Sequence, residues 1–309
     1  MLRKPISRRA RFGLGTASVV LMLLAYTWLS QHRQSTVRRE QQEVAVMKVA
    51  ELKAIENRTE RQQEELDKWV TLSKSPDAVD RTVPTWSVLY HEGWVRATSE
   101  QGSFKRKEVW LINDFAATAK RLVVGLIVGI LCSVVIGLLM GCFDTIDAFM
   151  LPPFTLLAKI PTTAVLPIFF VLVQINFKMY IAMILAGMIP TLAQAISASV
   201  RKDVPEELIY KAYTLGASRF ELIYEVIFKQ VLPRLLDAAR LQIGPALVLL
   251  VAAEWMVAGE GIGYRLRLFY QRTDMTVVFV YVILLGVIGL VVDYALIWLR
   301  RWVCPWFGE

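Results

Sequence analysis

The sequence is poor in the residues that usually carry catalysis and metal binding. It has two histidines, His32 and His91, and three cysteines, Cys132, Cys142 and Cys304. The cysteines are scattered without metal-type spacing, so neither a zinc site nor a disulfide framework is expected. No G-x-x-x-x-G-K-[ST] phosphate loop occurs, which leaves the chain without a motif for holding ATP itself. Gly259, Gly261 and Gly263 form a spaced glycine set. No strand leads into it and no ribose-binding acid follows at the right distance, so it reads as a turn. Both histidines lie in a polar stretch far from other candidate ligands, and no Ser/His/Asp or Cys/His arrangement can be assembled. The chain is not read as an enzyme.

What it has in abundance is apolar sequence. Hydrophobic residues make up 55% of the 309, and mean hydropathy is +0.46. A polytopic membrane protein of the all-α class is the reading that follows. Candidate spans lie at about Gly13–Leu29, Arg121–Gly141, Leu151–Val173, Lys178–Val200, Leu235–Val257 and Val277–Leu299. Each is near the ~20 residues a helix needs to cross the hydrocarbon core, and six spans return the chain to its starting side. The formal charge of +8 belongs mostly to membrane flanks and does not imply nucleic-acid binding. The first run is read as a retained anchor, because Trp28-Leu29-Ser30-Gln31 offers no small-x-small cleavage site.

Orientation follows from the basic flanks. Arg3, Lys4, Arg8, Arg9 and Arg11 precede the first span, and Arg300 and Arg301 follow the last, which puts both ends in the cytoplasm. The short Cys142–Met150 loop breaks the pattern, with two acids and no base. Residues 1–30 are thus read as cytoplasmic N-terminus and anchor, 31–110 as an extracytoplasmic segment, and 111–309 as the membrane domain. Arg38 to Leu72 is highly charged and free of Gly and Pro. It reads as one solvated amphipathic helix, or as a dimerising coiled coil in which Thr59 and Gln62 interrupt the a and d pattern of Leu52, Ile55, Leu66 and Trp69. Thr82–Trp94 and Trp110 supply aromatics for the outer membrane interface.

The spans are irregular. The third contains Pro152, Pro153, Pro161 and Pro167, the fourth Pro190, and the fifth Gly244-Pro245. Broken helices persist in a membrane only where protein or a water-lined cavity satisfies the freed backbone, and they point to a transport path. Ordinary proline kinking is the plainer alternative. Lys159, Asp237, Arg240, Glu254 and Asp293 are ionisable groups in or near spans, and each is a functional candidate. Lys159, Asp237 and Arg240 have the option of reaching the inner interface. Glu254 does not, since LVLLVAAEWMVAG is apolar on both sides. Pro161, Pro167 and Glu254 are therefore the candidates for a translocation path.

Between two apolar runs lies the best-punctuated stretch, Asp203 to Arg234. Asp203, Pro205 and Glu206 start a helix that should run to about Leu215 and stop at Gly216 in a left-handed conformation. Ser218 and Glu221 are spaced as a capping box for a second helix, which Pro233 should break or kink. Two short amphipathic helices around a Gly-Ala-Ser corner make a docking knob on the cytoplasmic side.

The run Ala212-Tyr213-Thr214-Leu215-Gly216-Ala217-Ser218, with Leu232-Pro233 after it, resembles the coupling loop of binding-protein-dependent ABC importer permeases. Glu254…Gly261-Ile262-Gly263-Tyr264 and Ile160-Pro161-Thr162-Thr163-Ala164-Val165-Leu166-Pro167 are similar to the nitrate/sulfonate/taurine branch of that family. The resemblance covers about Thr82 to the C-terminus. It implies a multi-pass inner-membrane permease, an all-α bundle of about six transmembrane helices with a cytoplasmic two-helix coupling loop at 203–234. The implied partners are cytoplasmic ATPase subunits that bind the ATP, an extracytoplasmic solute-binding protein, and a second permease, normally a copy of itself. The permease itself would need no cofactor, and the cargo would be a small solute such as nitrate or a sulfonate. The ATPase-coupling residues would be Tyr210, Lys211, Ala212, Gly216, Ala217 and Ser218. Where the family usually has Glu-Ala-Ala, this chain has Tyr210-Lys211-Ala212. A secondary transporter or channel working without an ATPase is the alternative.

Overall fold

A computed structural model describes residues 7–55, 59–75, 79–101 and 108–306. Arg3 and Lys4 of the N-terminal flank, and parts of the 31–110 segment, lie outside the described residues. The described chain is almost wholly helical. Five of its helices are long and apolar enough to cross a membrane, or six if one bent pair counts as a single span. The chain forms two compact units, residues 1–97 with 269–280, and 98–268 with 281–309.

The first unit is built on helix α1, Arg8–Lys53. Its 46 residues make a rod of roughly 69 Å, about twice the hydrocarbon thickness. The apolar N-terminal half continues without a break into the charged half, because nothing between Leu29 and Lys53 disfavours helix. The expected single helix over 38–72 is instead a hairpin. Helix α2, Glu60–Lys74, runs back antiparallel on α1, with the Gln42 amide donating to the Ser73 carbonyl. Helix α2 starts at residues that interrupted the heptad pattern: Thr59 is its N-cap, and the Gln62 side chain accepts from the Thr59 N–H at 2.9 Å. After α2 the chain is stapled to α1. Gln34 and Asp80 exchange two hydrogen bonds (2.9 and 3.0 Å), and Tyr26 donates to the Pro84 carbonyl at 2.7 Å. Burial pushes the Asp80 carboxyl up. Hydrogen bonds from Thr82 and the Arg33 guanidinium outweigh this and hold it below its ordinary value. Helix α3, residues 86–98, is π-helical over Leu89–Trp94, and an Arg96–Asp274 ion pair (2.9 Å) fastens it within this unit.

The second unit begins with a two-residue antiparallel pairing of Glu100–Gln101 (β1) with Glu108–Val109 (β2). Helix α4, Trp110–Cys142, then packs on α7, Phe177–Asp203. Four glycines make this approach possible. A Cβ at Gly125, Gly129, Gly137 or Gly141 would come within 2.6–2.8 Å of Ile184, Met188, Ile196 or Val200. The small residues recur every four positions, with Ser133 buried between them, a stripe that lets membrane helices touch closely. The pairings advance together along both helices, so α4 and α7 are parallel. The segment between them must therefore carry the chain back across the same thickness. It does so as a broken span: α5, Asp144–Lys159, and α6, Leu166–Val173, are bent by 89° around Pro161 and a 3-10 turn at Thr162–Val165.

Helix α8, Glu206–Thr214, leads to α9, residues 219–241, which is π-helical over Leu222–Phe228. Pro233 does not break α9. The helix continues through it, and the irregularity sits one turn or more upstream in the π segment. A turn at Gln242 joins α9 to α10, Ile243–Val257. Helices α11, Ile262–Gln271, and α12, Met275–Val303, complete the chain.

Candidate functional site

The corner from Gly216 to Glu221 has the local geometry its punctuation predicts, but α8 starts at Glu206 with Pro205 as its N-cap, and Asp203, the expected cap, is the last residue of α7. The α8 C-terminus closes in a Schellman arrangement: Gly216 N–H donates to the Tyr213 carbonyl (3.0 Å) and Ala217 N–H to the Ala212 carbonyl (3.1 Å). Gly216 takes φ +85, a conformation that costs L-residues with a Cβ. Ser218 then forms a reciprocal capping box with Glu221, at 2.8 and 3.3 Å. Tyr210, Lys211, Gly216 and Ser218 are exposed, while Ala212 and Ala217 are half-buried. No atom lies within 4 Å of a Cβ built on Gly216, so the corner is open to a partner. Leu215 is 88% exposed and Phe220 77%, an apolar tip on either side of the glycine. An Asp203–Arg234 ion pair closes the base of the projection. Behind α8 lies a cleft of about 680 Å³ lined by residues including Asp144, Arg201, Glu206, Tyr213 and Arg219. Arg201, near the end of α7, meets Asp144 at 2.8 Å and Asp147 at 3.3 Å. The two acids that broke the charge pattern share this one guanidinium.

At the opposite end of the second unit, Glu254 has a set of partners that its apolar flanks concealed. It is 0% exposed. It accepts from Arg121 Nη1 at 2.7 Å, Thr118 Oγ1 at 2.8 Å and Gly263 N at 3.0 Å. Alongside, Asp114 accepts from Arg265 Nε at 2.7 Å, Tyr281 OH at 2.9 Å and Gly261 N at 2.9 Å. Two buried carboxylates on α4 and α10 thus hold the backbone of the 259–263 turn. Gly263 packs so tightly on α10 that a Cβ would overlap the Val251 carbonyl and Glu254, and Gly261 has φ +111. Gly259 and Gly261 lie in the turn the sequence predicts, and Gly263 falls in the first turn of α11. Asp114, Arg121 and Arg265 escape a reading that looks for charges inside apolar runs. Their available signal is spacing: Asp114, Thr118 and Arg121 share one face of α4.

Pro161 and Pro167 lie at the bend between α5 and α6, both exposed. An apolar cavity of about 160 Å³ lies there, lined by Leu157, Ile160, Thr162, Phe169, Met183 and Leu249 among others. Glu254 is not among its lining residues. Asp237, Arg240 and Asp293 form ion pairs between α9 and α12. Arg240 binds Asp293 through two contacts of 2.8 and 3.0 Å, and Arg300 binds Asp237 through contacts of 2.8 and 2.9 Å. Lys159 is exposed.

The sequence profile of the family described as binding-protein-dependent transport system inner membrane component matches residues 125–305, more than half of the chain. The chain is 28% identical over 199 residues to the taurine transport system permease protein TauC of Escherichia coli, covering 64% of this chain and 72% of that one. It is 26% identical over 198 residues to the nitrate import permease protein NrtB of a Synechocystis strain, covering 61% and 68%. Among solved structures it is similar to an inward-facing conformation of the MetNI methionine ABC transporter. The TM-score is 0.51 at 19% identity, over 63% of this chain and 96% of that one, a likeness of fold.

Proposed function

The chain belongs to the family of binding-protein-dependent transport system inner membrane components, and we propose that it conducts small anions as a homodimer whose cytoplasmic corner is driven by ATPases. It is a multi-pass membrane protein and the permease of an ABC importer, a transport component that works with an ATPase and a solute-binding protein. The cargo class is a small oxyanion or sulfonate, in keeping with relatives named for taurine and nitrate. ATP is bound by the partner ATPase, in line with the absence of a phosphate loop in this chain. Both termini and the 203–234 loop are cytoplasmic, residues 31–110 are extracytoplasmic, and 111–309 form the permease domain.

The observation that carries the coupling role is the open Schellman corner at Gly216 between two capped helices. Ala212, Gly216, Ala217 and Ser218 let a partner surface approach closely, and Tyr210 and Lys211 stand beside them. Closure of the ATPases moves this rigid knob and rocks the spans between inward- and outward-open states. The homodimer is supported by the broken span. Helix α5 buries none of its residues within this chain, yet a proline-broken segment at membrane depth needs protein or a wet cavity against it. A second copy at Pro161 and Pro167 supplies both.

Co-purification with the ATPase and binding protein encoded beside this chain tests the assembly. Thermal-shift titration of that binding protein with nitrate, taurine, bicarbonate and neutral solutes tests the cargo. A solute that carries an oxyanion or sulfonate group, zwitterionic taurine included, is the expected ligand. Tight binding of only a neutral or cationic solute would overturn the cargo class, and a permease that purifies without an ATPase would overturn the coupling role.

A further inference from the structure

At the end of the second unit remote from residues 203–234 lies a polar cavity of about 350 Å³. Lys120 and Arg121 of α4, Asn176 and Tyr180 at the start of α7, and Gly259 and Glu260 after α10 contribute to its lining. The Arg121 side chain is only 9% exposed and divides its amino groups between two acids of different kind. Nη1 lies 2.7 Å from Glu254, which is fully buried. Nη2 lies 3.1 Å from Glu260, whose side chain is 67% exposed. A buried partner is not given up without stranding a charge, whereas an exposed one exchanges readily for another anion.

The other lining groups favour such an exchange. Arg121 and Glu254 cancel each other, which leaves Lys120 against Glu260. Lys120 is exposed with its ammonium 5.4 Å from the Phe177 ring centre, and it forms no ion pair among the described residues. Tyr180 lies under the guanidinium, 4.4 Å from ring centre to Cζ, and its hydroxyl has no hydrogen-bond partner among the described residues. The Glu260 carbonyl also accepts from Arg121 Nη1 at 3.1 Å. The backbone is therefore tethered independently of the carboxylate, and only the side chain has to move.

We propose that this cavity binds a small oxyanion or sulfonate, with Glu260 as its displaceable resting counter-ion. The arriving anion takes the Arg121 Nη2 contact beside Lys120 and within reach of the Tyr180 hydroxyl, and the Glu260 carboxylate turns out to solvent. When a monoanion such as nitrate or bicarbonate makes the swap the local charge is unchanged, so no buried group has to titrate. The site rests on the anion reading above, under which the bound anion is the cargo at the outer mouth of the permease.

Gly259→Cys provides a reporter, since a Cβ there meets no atom within 4 Å. The full permease with its ATPase, reconstituted in nanodiscs, is labelled with a membrane-impermeant maleimide in the presence of nitrate, bicarbonate or taurine, at ionic strength held constant with gluconate. Labelling should slow in a saturable way with at least one of the three. In the same background Glu260→Gln should lower the half-protecting concentration and Lys120→Gln should raise it, each by about tenfold, the scale of one charge-assisted contact. Unprotected labelling with all three probes, or protection that neither substitution shifts, would overturn the proposal. If the assembled importer still moves an anion under those circumstances, the cavity fails alone. If the binding protein takes only neutral solutes while nitrate still protects Gly259→Cys, the cargo class fails and the anion site stands.

Discussion

Lys211 is the residue at which this chain departs most from the loop it resembles. It is exposed on α8 and forms no ion pair among the described residues, although Glu207 lies four positions earlier on the same face. Under the proposed coupling role its counterpart is the ATPase, and a groove built for a glutamate would offer it like charge. Like-charge juxtaposition at an interface costs several kcal/mol, so the cognate groove is expected to be acidic or neutral. Lys211→Glu should weaken ATPase binding markedly in a pull-down titration if the groove is acidic and change it little if it is neutral, and tighter binding would mean that the groove is basic. Gly216→Val tests the corner itself. With φ +85 a β-branched residue is strained by about 1 kcal/mol or more. Nothing inside the chain is displaced, because the site is open. The variant should insert at wild-type levels and lose transport-coupled ATP hydrolysis; wild-type transport would remove the docking role. Glu254 makes the opposite case, where burial dominates. Glu254→Ala leaves the buried Arg121 guanidinium with only the exposed Glu260 as counter-charge and should destabilise by about 3–5 kcal/mol, read as a lower unfolding temperature in detergent. Adding Arg121→Leu should restore part of that loss, since an apolar replacement of the whole pair leaves no buried charge. A double variant less stable than Glu254→Ala alone would refute this account.

Among the elements, α4 and α7 depend on shape more than on charge. Gly137 sits where a Cβ would be 2.7 Å from Ile196 and 2.8 Å from the Ala193 carbonyl. Gly137→Leu should separate the two helices and cut the yield of folded protein, whereas Gly13→Leu, with no atom within 4 Å, should change nothing. Equal yields from the two would show that the stripe is not a contact. In the first unit the α1–α2 hairpin is closed by Asp80. Its carboxyl titrates lower when folded than when unfolded, so its contribution is complete above about pH 4, the unfolded carboxylate value. That contribution is lost as pH falls through the lower folded value. Proteolysis in the 79–85 strap should therefore stay slow down to pH 4 and accelerate below it, and Asp80→Asn should be fast at every pH.

For the whole molecule the proposed orientation has one decisive measurement. Under the proposed orientation Ser75, just after α2, and Ser218, beside Gly216, lie on opposite sides of the membrane. In sealed cells Ser75→Cys should react with an impermeant thiol reagent added outside, and Ser218→Cys should react only after permeabilisation. External labelling of Ser218→Cys would invert the entire arrangement. The second unit agrees internally with this alternation. Helices α4 and α7 run parallel, and α9 runs antiparallel to α12, as the Arg240–Asp293 and Asp237–Arg300 pairs require.

The features legible in the sequence are those whose physics is local. The capping box, the left-handed glycine and the Schellman closure join residues no more than five positions apart, and the membrane spans need only composition over one helix length. The left-handed corner at Gly216 could therefore be placed to the residue, and so could a turn at Gly259 and Gly261. Long-range partners were invisible for the complementary reason. Glu254 and Arg121 are 133 positions apart, and no periodicity in either helix selects the other. Only the tertiary structure decided that Glu254 is a satisfied strut rather than an open charge. It likewise decided that α1 and α2 fold back into a hairpin and that Pro233 is absorbed without a break. The same holds for the Arg121 guanidinium, whose division between a buried and an exposed acid depends on where three helix ends meet.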